Sequence, residues 1–309
     1  MKNKNKILPL VSVIIPVFNG ASYLIEAVDS VVNSTYQNTE ILLVDDGSND
    51  QSKELCYMLE QTYKNVHFYS LKKNRGLGRV LNFTIKKAKG ELICRLNQDD
   101  IMYPSRIATQ VTYFKNHPDV VACGSWINLF EEDGSTQIVK FLETDKQIKK
   151  IWLLISPFAD PSVMFHKTVA IKAGLYQQKF WPGDDTHLWY RMGKLGRLAN
   201  IQKPLVNVRY HKGAASVKYF RKLTEATYRM HRWAHKHIQP APLTTQLFWV
   251  IQYALGMTLP ADFNWKAYRI MKKGLNYVST FHGFLTRHKT KIATKKVATH
   301  PKRLSFSGE

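Results

Sequence analysis

Four short apolar runs within the first hundred residues, separated by stretches with apolar residues at helical spacing, constrain this chain most. Val11 to Pro16, Glu40 to Val44, Val66 to Ser70 and Leu92 to Leu96 read as buried strands. A helix is expected from near Ser22, with Leu24, Val28, Val31 and Val32 at helical spacing. Others are expected over Ser52 to Tyr63 and over Leu77 to Lys89, where Leu81, Ile85 and Ala88 share a face. Strands joined by helices this closely lie parallel, with right-handed crossovers. The expected fold is therefore α/β, a Rossmann-like, mostly parallel sheet with flanking helices. Such a sheet binds ligands at the carboxyl ends of its strands.

After residue 120 the alternation fades. Val120 to Cys123, Ser162 to Phe165 and Leu205 to Tyr210 read as strands. Ile127 to Phe130 and Gln137 to Phe141 flank Glu131-Glu132-Asp133-Gly134-Ser135 and read as a hairpin. Asp145 is expected to cap a helix to Ile155, and Trp181 to Asp185 to form a loop before a helix over Thr186 to Lys194. A basic helix is expected over Lys218 to His237. Within it His231 and His235, four apart with no acid between them, read as surface residues. Pro240 and Pro242 mark a boundary, giving a main domain over 1–240 and an extension over 241–309.

The net charge of +22 on 309 residues implies attraction to something anionic: nucleic acid, a membrane surface or phosphorylated substrates. Nucleic acid is not expected, because the charge is spread through the chain and no nucleic-acid motif appears. Leu247, Phe248, Val250 and Ile251, with Trp249 and Tyr253 as interfacial aromatics and basic residues beyond, suit a helix on an anionic membrane surface. They equally suit a packed helical appendage. Cys56, Cys94 and Cys123 lack CxxC spacing and read as buried thiols in a reducing compartment. No apolar run reaches the roughly 18 residues of a membrane span, so a cytoplasmic location is expected.

Acids at the carboxyl ends of buried strands are the candidates for chemistry. In Asn97-Gln98-Asp99-Asp100, hard oxygen ligands suit Mg²⁺ or Mn²⁺ bridging a diphosphate, with Asp99 as the ligand; Asp100 can cap the next helix instead. Asp46 in Asp45-Asp46-Gly47-Ser48 can accept from a base or ribose, or the segment can merely build a turn. Asn74-Arg75-Gly76-Leu77-Gly78 precedes a helix and can meet phosphate or ribose. Asp184-Asp185 can supply a general base or cap the helix that follows. His211 can complete an oxygen-rich metal site, or be structural.

Together these motifs resemble glycosyltransferase family 2, the inverting GT-A type nucleotide-sugar transferases, over roughly residues 10–215. Val11-Ser12-Val13-Ile14-Ile15-Pro16-Val17-Phe18-Asn19, Leu43 to Ser48, Asn74 to Asn82, Lys89 to Ile93, Asn97 to Asp100 and Asp184 to Arg191 carry the resemblance. It implies a nucleotide-binding half over 10–100, an acceptor half over 101–215 and a C-terminal helical basic extension. It also implies that Pro16, Phe18 and Asn19 line the base pocket and that Asp46 bonds the base. Asn74, Asn97 and Gln98 would contact the nucleotide-sugar, Asp99 and His211 would hold the metal, and Asp185 would be the base.

The implied reaction is metal-dependent, with Mn²⁺ or Mg²⁺. It moves a sugar, from a UDP-sugar by preference, to a hydroxyl of a bacterial surface glycan or lipid-linked acceptor, with a polyprenyl phosphate as the alternative acceptor. Three positions depart from the family pattern: Asn97 replaces its first metal-motif acid, Asp184 the glutamate before its base, and Asp160 a histidine beside its acceptor site. An aspartate at 97 is expected to tighten Mn²⁺ dependence.

Overall fold

The computed structural model describes residues 8–131, 133–211 and 218–259. Strands β1 (Val11–Val17), β2 (Thr39–Asp45), β3 (Val66–Ser70) and β4 (Leu92–Arg95) lie parallel in the order β3-β2-β1-β4. Helices α1 (Leu24–Val32), α2 (Ser52–Thr62) and α3 (Leu77–Lys87) join them. Period-two alternation splits β1 between two cores. Val11, Val13, Ile15 and Val17 face Leu24, Val28 and Cys56. Ile14, with Leu42 and Ile93, belongs to the opposite core with Leu81, Ile85 and Trp189. Each such aliphatic side chain taken fully from water contributes about 1.5–3 kcal/mol. Val17 pairs with Asp45, and Asp45 with Ser70, so these carboxyl ends finish level on one edge.

Beyond β4 the sheet is mixed. The elements are β5 (Ile101–Met102), α4 (Arg106–Asn116), β6 (Val120–Glu131), β7 (Thr136–Val139), α5 (Asp145–Ile151), a 3₁₀ turn at Asp160–Ser162 and β8 (Met164–His166). Then follow α6 (Lys167–Lys172), a second 3₁₀ turn at Gln178–Phe180, α7 (Asp184–Gly193) and β9 (Arg197–Tyr210). The order continues β4-β8-β6-β9-β5, with β7 hairpinned on β6. Long β9 runs parallel to β6 and carries its last residues back to the β5 end of the sheet.

Several local expectations are corrected. Thr144, not Asp145, caps α5, through a capping box with Gln147; the Asp145 carboxylate instead accepts from the Leu198 N–H at 2.9 Å. Asp100 caps nothing, because β5 intervenes and α4 opens after Ser105. Asp184 and Asp185 lie inside the first turn of α7, whose N-cap is Gly183. Cys56, Cys94 and Cys123 are buried free thiols, as expected.

The chain continues into α8 (Phe220–His237) and α9 (Leu243–Thr258). His231 is not a surface residue: it is 3% exposed and stacks on Trp249 at 4.9 Å. Trp249, expected at a membrane interface, is 2% exposed and donates from Nε1 to the Leu153 carbonyl at 2.8 Å. The other four-residue neighbour, His235, accepts at Nδ1 from the Ala241 N–H at 2.9 Å. Among the described residues, no helix is long and apolar enough to cross a membrane. The basic stretch from Lys266 to Arg303 lies outside the described residues.

Candidate active site

The turn after β1 is built by polar side chains from two other loops. Pro16, next to the last residue of β1, is half-buried, and Phe18 follows the strand with 41% of its surface exposed. The Gln98 amide pairs with the Phe18 backbone, Oε1 accepting from the N–H at 2.8 Å and Nε2 donating to the carbonyl at 3.0 Å. A Cβ at Gly20 would sit 2.3 Å from the Gln98 carboxamide and would have to displace it from these bonds. Asn19 takes φ 50°, a left-handed conformation that asparagine tolerates. Its N–H donates to Ser48 Oγ and its Oδ1 accepts from the Asn49 N–H, both at 2.9 Å, tying the β1 turn to the β2 turn.

Asp46, 4% exposed, accepts two backbone N–H groups: Arg75 at Oδ1, 2.7 Å, and Gly76 at Oδ2, 2.9 Å. Burial, the larger effect, pushes its carboxyl above the ordinary carboxylate value, against the pull of those two bonds. Asp46 therefore holds the entry loop of α3 with both oxygens. Gly47 allows the close approach: its φ is 74°, and a Cβ would meet the Lys73 backbone at 2.8 Å. The Asn74 side chain stands exposed on this loop.

At the end of β4, the Arg95 guanidinium is 1% exposed in the sheet. It donates from Nη1 to the Leu96 carbonyl and from Nη2 to Asn97 Oδ1 at 2.5 Å. Its Nε lies 3.0 Å from Asp160 Oδ2, an ion pair bent away from hydrogen-bond alignment. Asn97 Nδ2 donates to Asp100 Oδ2 at 2.7 Å. Asp99 points the other way, and its Oδ2 lies 3.0 Å from His211 Nε2 across 112 residues. Arg209 supports this pair: its Nε donates to the Asp99 carbonyl at 3.2 Å, while its guanidinium sits 4.7 Å from the Tyr23 ring centre and 4.5 Å from that of Phe130.

Among the described residues, no group of three or more His, Cys, Asp or Glu side chains gathers into a metal cage. An acid and an imidazole nitrogen nonetheless suit a Mg²⁺ or Mn²⁺ ion that takes its other ligands from phosphate and water.

At the start of α7, Asp184 is 3% exposed and its Oδ2 is buried without a hydrogen-bond partner. Burial pushes its carboxyl up to about 7. Asp185 accepts from the Thr186 N–H at 2.6 Å, and burial followed by the charges of Asp160 and Asp184 raises it well above the ordinary range. A carboxyl raised towards neutral pH is a better proton acceptor when ionised. Asp160 links the α7 carboxyls to the end of β4: it acts on Asp184 and Asp185 through its charge and pairs with Arg95, which holds Asn97.

The model of Glycosyl transferase family 2 matches residues 12–174. The chain belongs to that family. It is 33% identical over 218 residues to an uncharacterized glycosyltransferase of Rickettsia typhi, covering 67% of this chain and 66% of that one. The amylovoran biosynthesis glycosyltransferase AmsE of Erwinia amylovora is 30% identical over 201 residues, covering 64% of this chain and 75% of AmsE. Coverage of other curated relatives varies, from 72% of an uncharacterized Haemophilus influenzae glycosyltransferase to 37% of a Rickettsia felis one.

Solved structures bear out the GT-A fold. TarS of S. aureus with UDP-GlcNAc aligns with a TM-score of 0.58 at 15% identity, over 82% of this chain and 83% of that one. The mannosyltransferase PcManGT of Pyrobaculum calidifontis, in complex with GDP-Man and Mn²⁺, aligns at 0.58 and 16% identity, over 93% and 87%. The site differs from the sequence expectation in its supports. Arg95 and Arg209 received no role from sequence, although an arginine ending an apolar strand is itself a signal of a buried partner.

Proposed function

We propose that this protein is a metal-dependent, inverting glycosyltransferase that moves a sugar from a nucleotide-sugar, a UDP-sugar by preference, to a hydroxyl of a bacterial surface glycan or its lipid-linked precursor. The observation that carries this reading is the approach of Asp99 and His211 to 3.0 Å at the sheet edge where Phe18, Asn19 and Asp46 also cluster. Asp99 and His211 would hold Mn²⁺ or Mg²⁺, which when bound offsets the charge building on the leaving diphosphate. Pro16, Phe18, Asn19 and Asn74 would line the nucleoside side, with Asp46 and Gln98 fixing the loops that carry them.

Asp185 takes the proton from the acceptor hydroxyl. The hydroxyl oxygen bonds to the anomeric carbon as that carbon's bond to the diphosphate oxygen breaks, and the configuration inverts. The domain division at residue 240 and a cytoplasmic, membrane-surface location belong to this reading. The uncharged α9 presents exposed Leu243, Leu247, Val250, Ile251 and Leu255, beside exposed cations Arg221, Lys222, Arg229, Arg232 and Lys236 on α8. That pairing of an apolar stripe with cations favours an anionic lipid surface.

Thermal melting with UDP-, GDP- and dTDP-sugars, with and without Mn²⁺, tests the reading. A matching donor at about 100 times its Kd stabilises by about 2.7 kcal/mol, and the shift should need the metal. No shift with any donor would contradict it.

A further inference from the structure

Asn97 stands where an acid was expected, and its carboxamide is already used on both sides. Oδ1 accepts from Arg95 Nη2 at 2.5 Å, and Nδ2 donates to Asp100 Oδ2 at 2.7 Å. Both partners are buried, each 1% exposed. The amide's orientation follows from them: a guanidinium only donates and a carboxylate only accepts. Asp100 Oδ1 in turn accepts from the Arg209 N–H at 3.0 Å. Arg209 returns a bond from Nε to the Asp99 carbonyl, and two residues on, His211 meets the Asp99 carboxylate. At the other end, Arg95 pairs with Asp160. The result is one continuous chain: Asp160, Arg95, Asn97, Asp100, the end of β9.

We propose that Asn97 is a positioning residue and not a ligand of metal or ribose. Its amide bridges Arg95 to Asp100, and through Asp100 it sets the end of β9 so that His211 reaches Asp99. A side chain here must accept from a guanidinium and donate to a carboxylate, and a neutral amide does both. An aspartate would face the Asp100 carboxylate across 2.7 Å in a buried site, and an alanine would leave both partners unpaired. Asn97 thereby joins the Asp160 side of the site to the metal side. The metal consequence rests on the proposed function; the bridge does not.

The test is an exchange of the two side chains. In the N97D/D100N protein a carboxylate at 97 accepts from Arg95 and from the new amide at 100, whose oxygen accepts from the Arg209 N–H. Every bond is restored and the net charge is unchanged. The full-length wild type, N97D, D100N and the exchanged double variant are melted without ligand, then titrated with UDP and with GDP in the presence and absence of Mn²⁺.

N97D should lower the Tm by roughly 4–8 °C and weaken Mn²⁺-dependent nucleoside diphosphate binding. The exchanged variant should recover at least half of the Tm loss and most of the binding. N97D that keeps its Tm and tightens Mn²⁺ dependence would overturn the proposal, as would an exchanged variant that fails to fold or melts no higher than N97D. If wild-type protein binds neither nucleotide, the proposed function fails while the ligand-free melts still decide the bridge.

Discussion

Asp46→Asn perturbs the loop architecture at one point and separates two roles. The carboxylate receives the Arg75 N–H at 2.7 Å and the Gly76 N–H at 2.9 Å. An asparagine keeps one acceptor oxygen and turns its NH₂ towards the other N–H. One charge-assisted bond is lost, worth about 1.5–3 kcal/mol, and a backbone donor is left facing a donor, which costs about 1–3 kcal/mol more if nothing moves. Arg75 is exposed, so the loop can shift to recover part of this. The net expectation is roughly 2–4 kcal/mol, or a fall in Tm of roughly 5–10 °C. Because the loop carries Asn74, UDP affinity measured by calorimetry with Mn²⁺ should fall at least about tenfold, the equivalent of about 1.4 kcal/mol. Unchanged Tm and unchanged affinity would refute the loop-holding role. Unchanged Tm with binding lost would show that Asp46 reads the base directly.

Trp249→Ala removes a 2% exposed indole and its bond to the Leu153 carbonyl; urea melts should show a loss of about 3–5 kcal/mol. A loss under about 1 kcal/mol would mean that α9 is not packed on this core. Asp184→Asn should stabilise the protein at alkaline pH. Burial raises the Asp184 carboxyl to about 7, so the folded chain holds a proton there that the unfolded chain releases near the ordinary value of 3.8. Wild-type stability from this group is then full below that value and falls as pH rises towards 7. The asparagine has no proton to lose, so the variant should gain up to roughly 4 kcal/mol at pH 8, with the gain vanishing towards pH 4. A gain independent of pH would contradict this.

The parallel half was legible because its signals are local. Val11 to Val17 buries on both faces, so it reads as an unbroken apolar run, and the helix that follows shows its face in Leu24, Val28 and Val31. The second half hid because its long strands bend. Strand β6 shifts register against β9 at Ser125, Trp126 and Ile127, so one strand reads as two. The start of β9 is largely polar. The capping box Thr144-Asp145-Lys146-Gln147 was readable, and its first residue was the better cap.

His231 looked exposed because its own helix supplies no partner; Trp249, arriving from α9, buries it. The site shows the same division. Its candidate residues were named from sequence, but the partners of Gln98, Asp46 and Asp99 lie 80, 29 and 112 positions away, beyond any local pattern.

The most direct test of the central claim sets binding against chemistry in one variant, Asp185→Asn. Nucleoside diphosphate affinity with Mn²⁺ is measured beside the transfer rate from the donor that stabilises the wild type. Affinity should stay within about threefold of wild type, a change under about 1 kcal/mol, while the transfer kcat should fall about 10²–10⁴-fold. Full transfer activity in the variant would contradict it, because the acceptor proton would then be leaving by another route.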